Sequence, residues 1–191
     1  MGDTANSLAQ RKSALRRELR QLRTTIPPSQ RKRAARHAAR HLARACVQWG
    51  ARHVAVYLGT ATELDTRPLI AALGHLRLYA PRLRPGNRLA FARLAPPLKR
   101  NRYGIAEPLA SRPPARLDLI VLPLVGFDGT GARLGMGGGY YDRLLARSRA
   151  FRRPLRVGFA FAAQEVERVP AAAHDVRLDA IVTELGLRKF R

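Results

Sequence analysis

Cysteine is almost missing from this chain of 191 residues: Cys46 stands alone, so no internal disulfide can form. It falls in a helical pattern where a thiol behaves as a small hydrophobe, and no chemistry is assigned to it. Aromatic residues make up 6% and do not cluster, which removes the stacking platforms expected of a dedicated nucleic-acid reader. Hydrophobic residues reach 46%, yet no apolar run approaches the ~20 residues that a membrane-spanning helix needs. The start, MGDTANSLAQRKS, lacks the apolar core of a secretory signal, and the cytoplasm is the expected location. Acidic residues are also scarce, 13 against 36 basic, for a net charge of +23. Only four of the basic residues are Lys, and residues 1–50 carry 12 basic groups against two acidic ones. Such a chain favours anionic partners, nucleotides or polyanionic substrates, and can hold nucleic acid non-specifically at low salt. The Arg and Ala enrichment recurs in loops and helices alike, so a general compositional bias accounts for it equally well.

What is present is periodic. Residues 6–24 place Leu8, Leu15, Leu19 and Leu22 near helical spacing, and after Pro27-Pro28 a second helix, with Ser29 as its cap, carries an apolar stripe from Ala34 to Trp49. Gly50 ends it. Short apolar runs then follow at 53–58, 77–80, 88–92, 117–122, 155–161 and 178–182, with helical stretches at 66–73, after an Asp65 cap, and at 140–148. This alternation predicts one α/β domain over residues 1–191, a three-layer sandwich with a mainly parallel, Rossmann-like sheet flanked by helices. The Pro-rich segments at 95–97 and 108–114 are surface connections.

The chemistry concentrates in RLGMGGGYYDR, Arg133 to Arg143. Gly135, Gly137, Gly138 and Gly139 let backbone N–H groups turn toward an anion without side-chain obstruction. Arg133 adds a bidentate charge, and the helix beginning near Tyr140 directs its positive end to the same place. Asp142, in the first turn of that helix, is a candidate Mg²⁺ ligand beside nucleotide phosphates. No Gly-Lys-Ser/Thr follows, so this is not a P-loop, and the spacing departs from the dinucleotide fingerprint. Standing alone, the glycines would equally be a surface turn. His37 and His41 have metal-pair spacing but no acid or Cys nearby, and no metal is assigned to them.

RLGMGGGYYDR, following the strand and turn VLPLVGFDGTG, resembles the signature of the 5-formyltetrahydrofolate cyclo-ligases, also called methenyltetrahydrofolate synthetases. The likeness continues in order through Lys12-x-x-x-Arg16, YLGTATELDT around Glu63, Pro81-Arg82, YGIAEP at 103–108 and VPAAAHDVRLDAIVTE near the end, covering nearly the whole chain. It implies an ATP- and Mg²⁺-dependent closure of 5-formyltetrahydrofolate to 5,10-methenyltetrahydrofolate through a phosphorylated formyl group; polyglutamylated forms of the folate are candidate substrates as well, and the chain is expected to be a monomer. Carried onto this sequence, it implies ATP contacts from Lys12, Arg16 and the run Arg133, Leu134, Gly135, Met136, Gly137, Gly138, Gly139, Tyr140 and Tyr141. It implies folate contacts from Leu58, Glu63, Met136, the three following glycines and Tyr140. Asp142 and Asp175 would hold the metal, and Arg133 and Tyr140 would act at the transferred group. Tyr141 is equally a core anchor, and Glu107 is structural or pocket-lining. The alternatives are a non-catalytic nucleic-acid-binding relative and a sugar-phosphate or CoA-ester enzyme on a similar scaffold.

Overall fold

The computed structural model of the chain describes residues 2–109, 113–114, 116–146, 153–172 and 175–190, with side chains from Ser7 onward. Two long helices come first, α1 (Gly2–Thr25) and α2 (Pro28–Gln48). Pro28 occupies the first helical position, where its missing N–H is no loss. The helix therefore begins before Ser29, which lies inside the first turn; the N-cap is Pro27, without a side-chain bond. Ala34, Ala35, Ala38, Ala39, Leu42, Ala45 and Cys46 form the buried stripe of α2, and burial pushes the Cys46 thiol up to about 12. Gly50, at φ 60°, turns the chain out of it.

The strands and short helices that follow are β1 (His53–Ala55), α3 (Arg67–Ala72), β2 (Arg77–Arg84), β3 (Arg88–Arg93), β4 (Leu98–Arg100), β5 (Ala106–Pro108), β6 (Leu119–Leu122), β7 (Gly126–Phe127), β8 (Arg133–Leu134), α4 (Tyr140–Leu145), β9 (Leu155–Phe159), β10 (Ala180–Thr183) and β11 (Gly186–Lys189). Seven of these strands make one sheet in the order β11-β10-β9-β6-β1-β2-β3, and β4-β5 and β7-β8 are separate hairpins. The five central strands are parallel neighbours, whereas β3 and β11 close the edges antiparallel. Side chains alternate between the two faces: Leu119 and Val121 of β6 join the core beneath α2 and α3, and Ile120 and Leu122 join the core on the opposite face with Leu145 of α4. Both faces being covered, the central strands are largely apolar, with Arg156 of β9 a buried exception. This is the three-layer α/β arrangement that the alternation of patterns predicts. Among the described residues no helix is long and apolar enough to cross a membrane.

Boundaries moved for local reasons. β2 extends to Arg84 because β3 folds back on it, pairing Arg84 with Arg88. The N-cap of α3 is Thr66, and Asp65 reaches over it to accept the Arg67 N–H at 2.9 Å. Of the predicted helix 140–148, residues 147 and 148 lie outside the described residues.

Asp118 fastens the start of the central strands. Its Oδ2 accepts the N–H groups of Arg52 and His53, each at 2.9 Å, and its Oδ1 accepts Arg116 at 2.9 Å. Burial opposes the charge, but the bonds from Arg52, Arg116 and His53 prevail and hold the carboxyl at about 2 against an ordinary 3.8. The stability this contributes is complete above pH 4 and disappears as pH falls from there toward 2. Asp118→Asn should flatten that acid limb in pH-dependent denaturant titrations and leave the curve near neutrality parallel to the parent's.

Candidate active site

The chain runs from β1 to β2 on one side and later returns to β6 on the other side of β1. The carboxyl ends of β1 and β6 therefore flank a topological switch point, the position where open α/β sheets leave a crevice. A cavity of about 670 Å³ lies there, lined by Tyr57 and Leu58 after β1 and Pro123 after β6. That volume lies in the ordinary range for small-molecule sites.

Every residue singled out in the sequence for a functional role lines this one cavity: Lys12, Arg16, Leu58, Glu63, the run Arg133–Asp142 and Asp175. α1 supplies a row of cations spaced four apart, Lys12, Arg16 and Arg20. Leu19 of the same helix packs into a small core with Val125, Ala132 and Leu134. That packing turns the row toward the glycine loop: Arg16 Nε donates to the Gly135 carbonyl at 2.8 Å, and Arg20 Nη2 to the Met136 carbonyl at 3.2 Å. The strongly basic first helix is thus only partly a solvated face. Burial, followed by repulsion from Arg20, holds the Arg16 guanidinium below its ordinary value.

The loop itself needs its glycines at two points. Gly137 has φ 103°, and a Cβ there would meet the Arg16 guanidinium carbon at 3.5 Å. Gly139, the N-cap of α4, has φ 64°, and its Cβ would lie 2.7 Å from Arg143 Nη1. α4 has only six residues, so the field at the loop is set by full charges more than by aligned peptide dipoles.

Arg133 is 3% exposed; its Nη2 meets Asp142 Oδ1 at 2.5 Å, while its buried Nε has no hydrogen-bond partner. A buried guanidinium N–H left unmade is costly, and an anionic oxygen in the cavity would satisfy it. Lys12 Nζ meets Asp175 Oδ2 at 2.5 Å. The two acids belong to one wall, since Asp142 Oδ1 also accepts the Val176 N–H at 3.3 Å, one residue beyond Asp175. Two hard carboxylates beside an anion site suit Mg²⁺, which takes its remaining ligands from phosphates and water. Among the described residues no group of three or more His, Cys, Asp and Glu side chains comes together, His37 and His41 included, so an all-protein metal cage is not offered.

Glu63 Oε2 is held by the backbone N–H of Thr60 at 2.7 Å and its hydroxyl at 3.0 Å. Oε1 has no partner among the described residues, which leaves an acceptor for a ligand N–H. Glu63 does not serve as the N-terminal charge of α3, because Asp65 makes that contact. Tyr141 packs against the core beneath α4, and burial pushes its phenol well up, so it is wall and anchor together. Tyr140 bonds the Tyr103 hydroxyl at 2.8 Å and accepts from Arg102 at 3.2 Å; these two bonds draw its phenol below the ordinary value. Met136 is half exposed at the rim.

Glu107 does not line the cavity. It is buried and accepts the Leu83 N–H at 2.9 Å, pinning the β4-β5 hairpin to β2. The turn of that hairpin brings Asn101, Tyr103 and Ile105 to the cavity. Tyr103 and Ile105 belong to the YGIAEP segment and Arg143 ends RLGMGGGYYDR, both marked in the sequence without a role for these side chains; Asn101 and Arg20 were not singled out, and of these two only Arg20 had a signal, its place four residues beyond Arg16.

Residues 8–184 match the profile of the 5-formyltetrahydrofolate cyclo-ligase family. A 5-formyltetrahydrofolate cyclo-ligase of Haemophilus influenzae is 35% identical over 181 residues, covering 88% of this chain and 95% of its own length. One from Escherichia coli is 39% identical over 176 residues, covering 86% and 96%. Among solved structures, the 5,10-methenyltetrahydrofolate synthetase of Aquifex aeolicus superposes with a TM-score of 0.82 at 34% identity, over 94% of this chain and 93% of that one. The synthetase of Mycoplasma pneumoniae, at 23% identity and a TM-score of 0.72, shares the fold over 91% of this chain and 98% of its own.

Proposed function

This chain belongs to the 5-formyltetrahydrofolate cyclo-ligase family, and from that premise we propose that it uses MgATP to close 5-formyltetrahydrofolate into 5,10-methenyltetrahydrofolate, releasing ADP and phosphate. The observation that carries the reading is convergence: a glycine turn ringed by cations, a buried guanidinium with an unspent N–H, two carboxylates and a half-satisfied Glu63 share one cavity.

The formyl oxygen attacks the γ-phosphorus, the bond from that phosphorus to the bridging oxygen breaks, and ADP departs. The formyl carbon is then part of an iminium phosphate, with the positive charge on N5. The N10 lone pair attacks this carbon and N10 gives up its proton. As the carbon–oxygen bond breaks, phosphate leaves, and the cation is shared by N5 and N10. No protein nucleophile is required; the protein positions the reactants and neutralises charge.

Lys12, Arg16, Arg133 and the amides of residues 135–139 take the phosphates, and the Arg133 Nε supplies the donor that matches charge building on the transferred group. Asp142 and Asp175 would hold Mg²⁺, which when bound would neutralise phosphate charge; Lys12 and Arg133, paired with these carboxylates, would then be left to the nucleotide. Glu63 accepts from pterin N–H groups, Leu58 and Met136 give that ring an apolar wall, and Tyr140 stands where the two substrates meet.

Absorbance of the methenyl product tests the reading. Product should appear only when formyl folate, ATP and Mg²⁺ are all present, with one ADP per product. Product formed equally without ATP, or no product in the complete mixture, would refute it.

A further inference from the structure

At the mouth of the cavity two arginines are held together by neutral acceptors. Arg102, from the β4-β5 turn, donates to the side-chain oxygen of Asn87 and to the Tyr140 hydroxyl. Arg143, from α4, donates to the backbone oxygen of the same Asn87 at 3.2 Å and to the Gly138 carbonyl at 2.8 Å. All four acceptors are neutral, and among the described residues neither guanidinium meets a carboxylate. This separates them from Lys12 and Arg133, whose charges are balanced by Asp175 and Asp142.

Asn87 sits at φ 55°, a left-handed conformation that Asn adopts more readily than most residues, in the turn between β2 and β3. Two turns and a helix thus bring two like charges onto one residue, where an anion would find both guanidinia within reach. The guanidinia also lie over aromatic rings, Arg102 at 5.0 Å from the Tyr103 centroid and Arg143 at 5.3 Å from that of Tyr140. The two rings meet edge to face at 6.4 Å, and Tyr103 is 55% exposed.

We propose that Arg102 and Arg143, gathered on Asn87, form a carboxylate subsite at the cavity mouth that takes the glutamyl tail of the folate. Tyr103 and Tyr140 offer the aminobenzoyl ring its surface on the way out. The assignment rests on the folate reading above and deepens it. Carboxylates are favoured over ATP phosphates as the occupant because this pair lies over the Tyr103 and Tyr140 rings and is separate from the cations assigned to the phosphates, Lys12, Arg16 and Arg133.

The test is calorimetric binding of p-aminobenzoyl-γ-glutamates with one, three or five glutamates, which lack the pterin and report on the mouth alone. The parent protein should bind more tightly as the tail lengthens. Arg102→Gln should weaken the pentaglutamate about 5-fold, the scale of a charged contact at a solvated rim, and nearly abolish the length dependence. The difference should shrink in high salt. Arg33→Gln, on the exposed side of α2, should change none of this and so exclude an effect of net charge. No length dependence in the parent, an equal loss at every length, or an unaltered pentaglutamate affinity in Arg102→Gln would overturn the subsite. If Arg102→Gln instead raises the KM for ATP, the pair serves phosphate. Turnover of monoglutamyl formyl folate by the parent protein, measured separately, tests the reading on which the subsite rests.

Discussion

Asp142→Asn should lower kcat about 10²- to 10³-fold, the scale of removing one electrostatic contact at a developing charge, and should destabilise the protein as well. The second effect follows from Arg133. Its guanidinium is 3% exposed and already carries one unsatisfied N–H, so an amide opposite it leaves a buried charge with a weaker partner. Asp142 itself is 25% exposed, and water can partly replace it, which brings the expected loss to about 1–3 kcal/mol, below that of a fully buried pair. Asp142 therefore cannot be treated as a metal ligand whose loss spares folding. The double variant Arg133→Met/Asp142→Leu separates the roles: it should regain most of the stability while remaining inactive. Urea midpoints and single-turnover rates for the three proteins measure both effects. Full activity in Asp142→Asn would remove the acid from the site, and an inactive variant of unchanged stability would show that its pairing with Arg133 contributes nothing to the fold.

Asp179→Ala should be the most destabilising single change to a charged residue outside the cavity. Asp179 and Arg156 sit on adjacent strand ends inside the protein, with Arg156 2% exposed. Asp179 Oδ2 accepts Arg156 Nε and its backbone N–H, and Oδ1 accepts Nη2, each at 2.8 Å. The flanking backbone bonds run from Asp179 N to the Arg156 carbonyl and from Phe190 N to the Asp179 carbonyl, so the carboxylate ties β9 to β10 at a point where the backbone also joins β11. Deleting it strands a buried guanidinium, a loss of about 3–5 kcal/mol. For a chain of this size that corresponds to about 10 °C in Tm. Asp65→Asn, which breaks an exposed pair with Arg67, should move Tm by less than about 2 °C. Equal shifts in the two variants would contradict the importance given to burial.

The parallel strands are legible in the sequence because they are buried on both faces, and an apolar run such as Leu119–Leu122 has few other homes. β4, β5, β7, β8 and β11 escape a pattern reading because two to four residues, all exposed in β4 and half exposed in β11, carry no periodicity. Their positions depend on distant partners, Glu107 on Leu83 and Gly126 on Leu134. The glycine loop, Lys12, Arg16 and the two acids are legible through their resemblance to a family. That they line one cavity is a property of topology, which returns the chain to β6 beside β1. The mouth was hidden for the same reason: Asn87, Arg102 and Arg143 are separated in sequence by 15 and 41 positions, and each alone is an ordinary polar surface residue. Arg156 and Asp179 did leave a signal, as charges inside runs read as buried strands, because a charge in such a run requires an opposite charge within reach.

The most direct measurement of the site's chemistry follows one oxygen atom. With formyl folate carrying ¹⁸O on its formyl group, the enzyme and MgATP should release phosphate containing one ¹⁸O per methenyl product, as mass spectrometry would show. Unlabelled phosphate, with the label recovered in water, would mean that the γ-phosphoryl group never reaches the formyl oxygen and would contradict the two-substrate cavity described above.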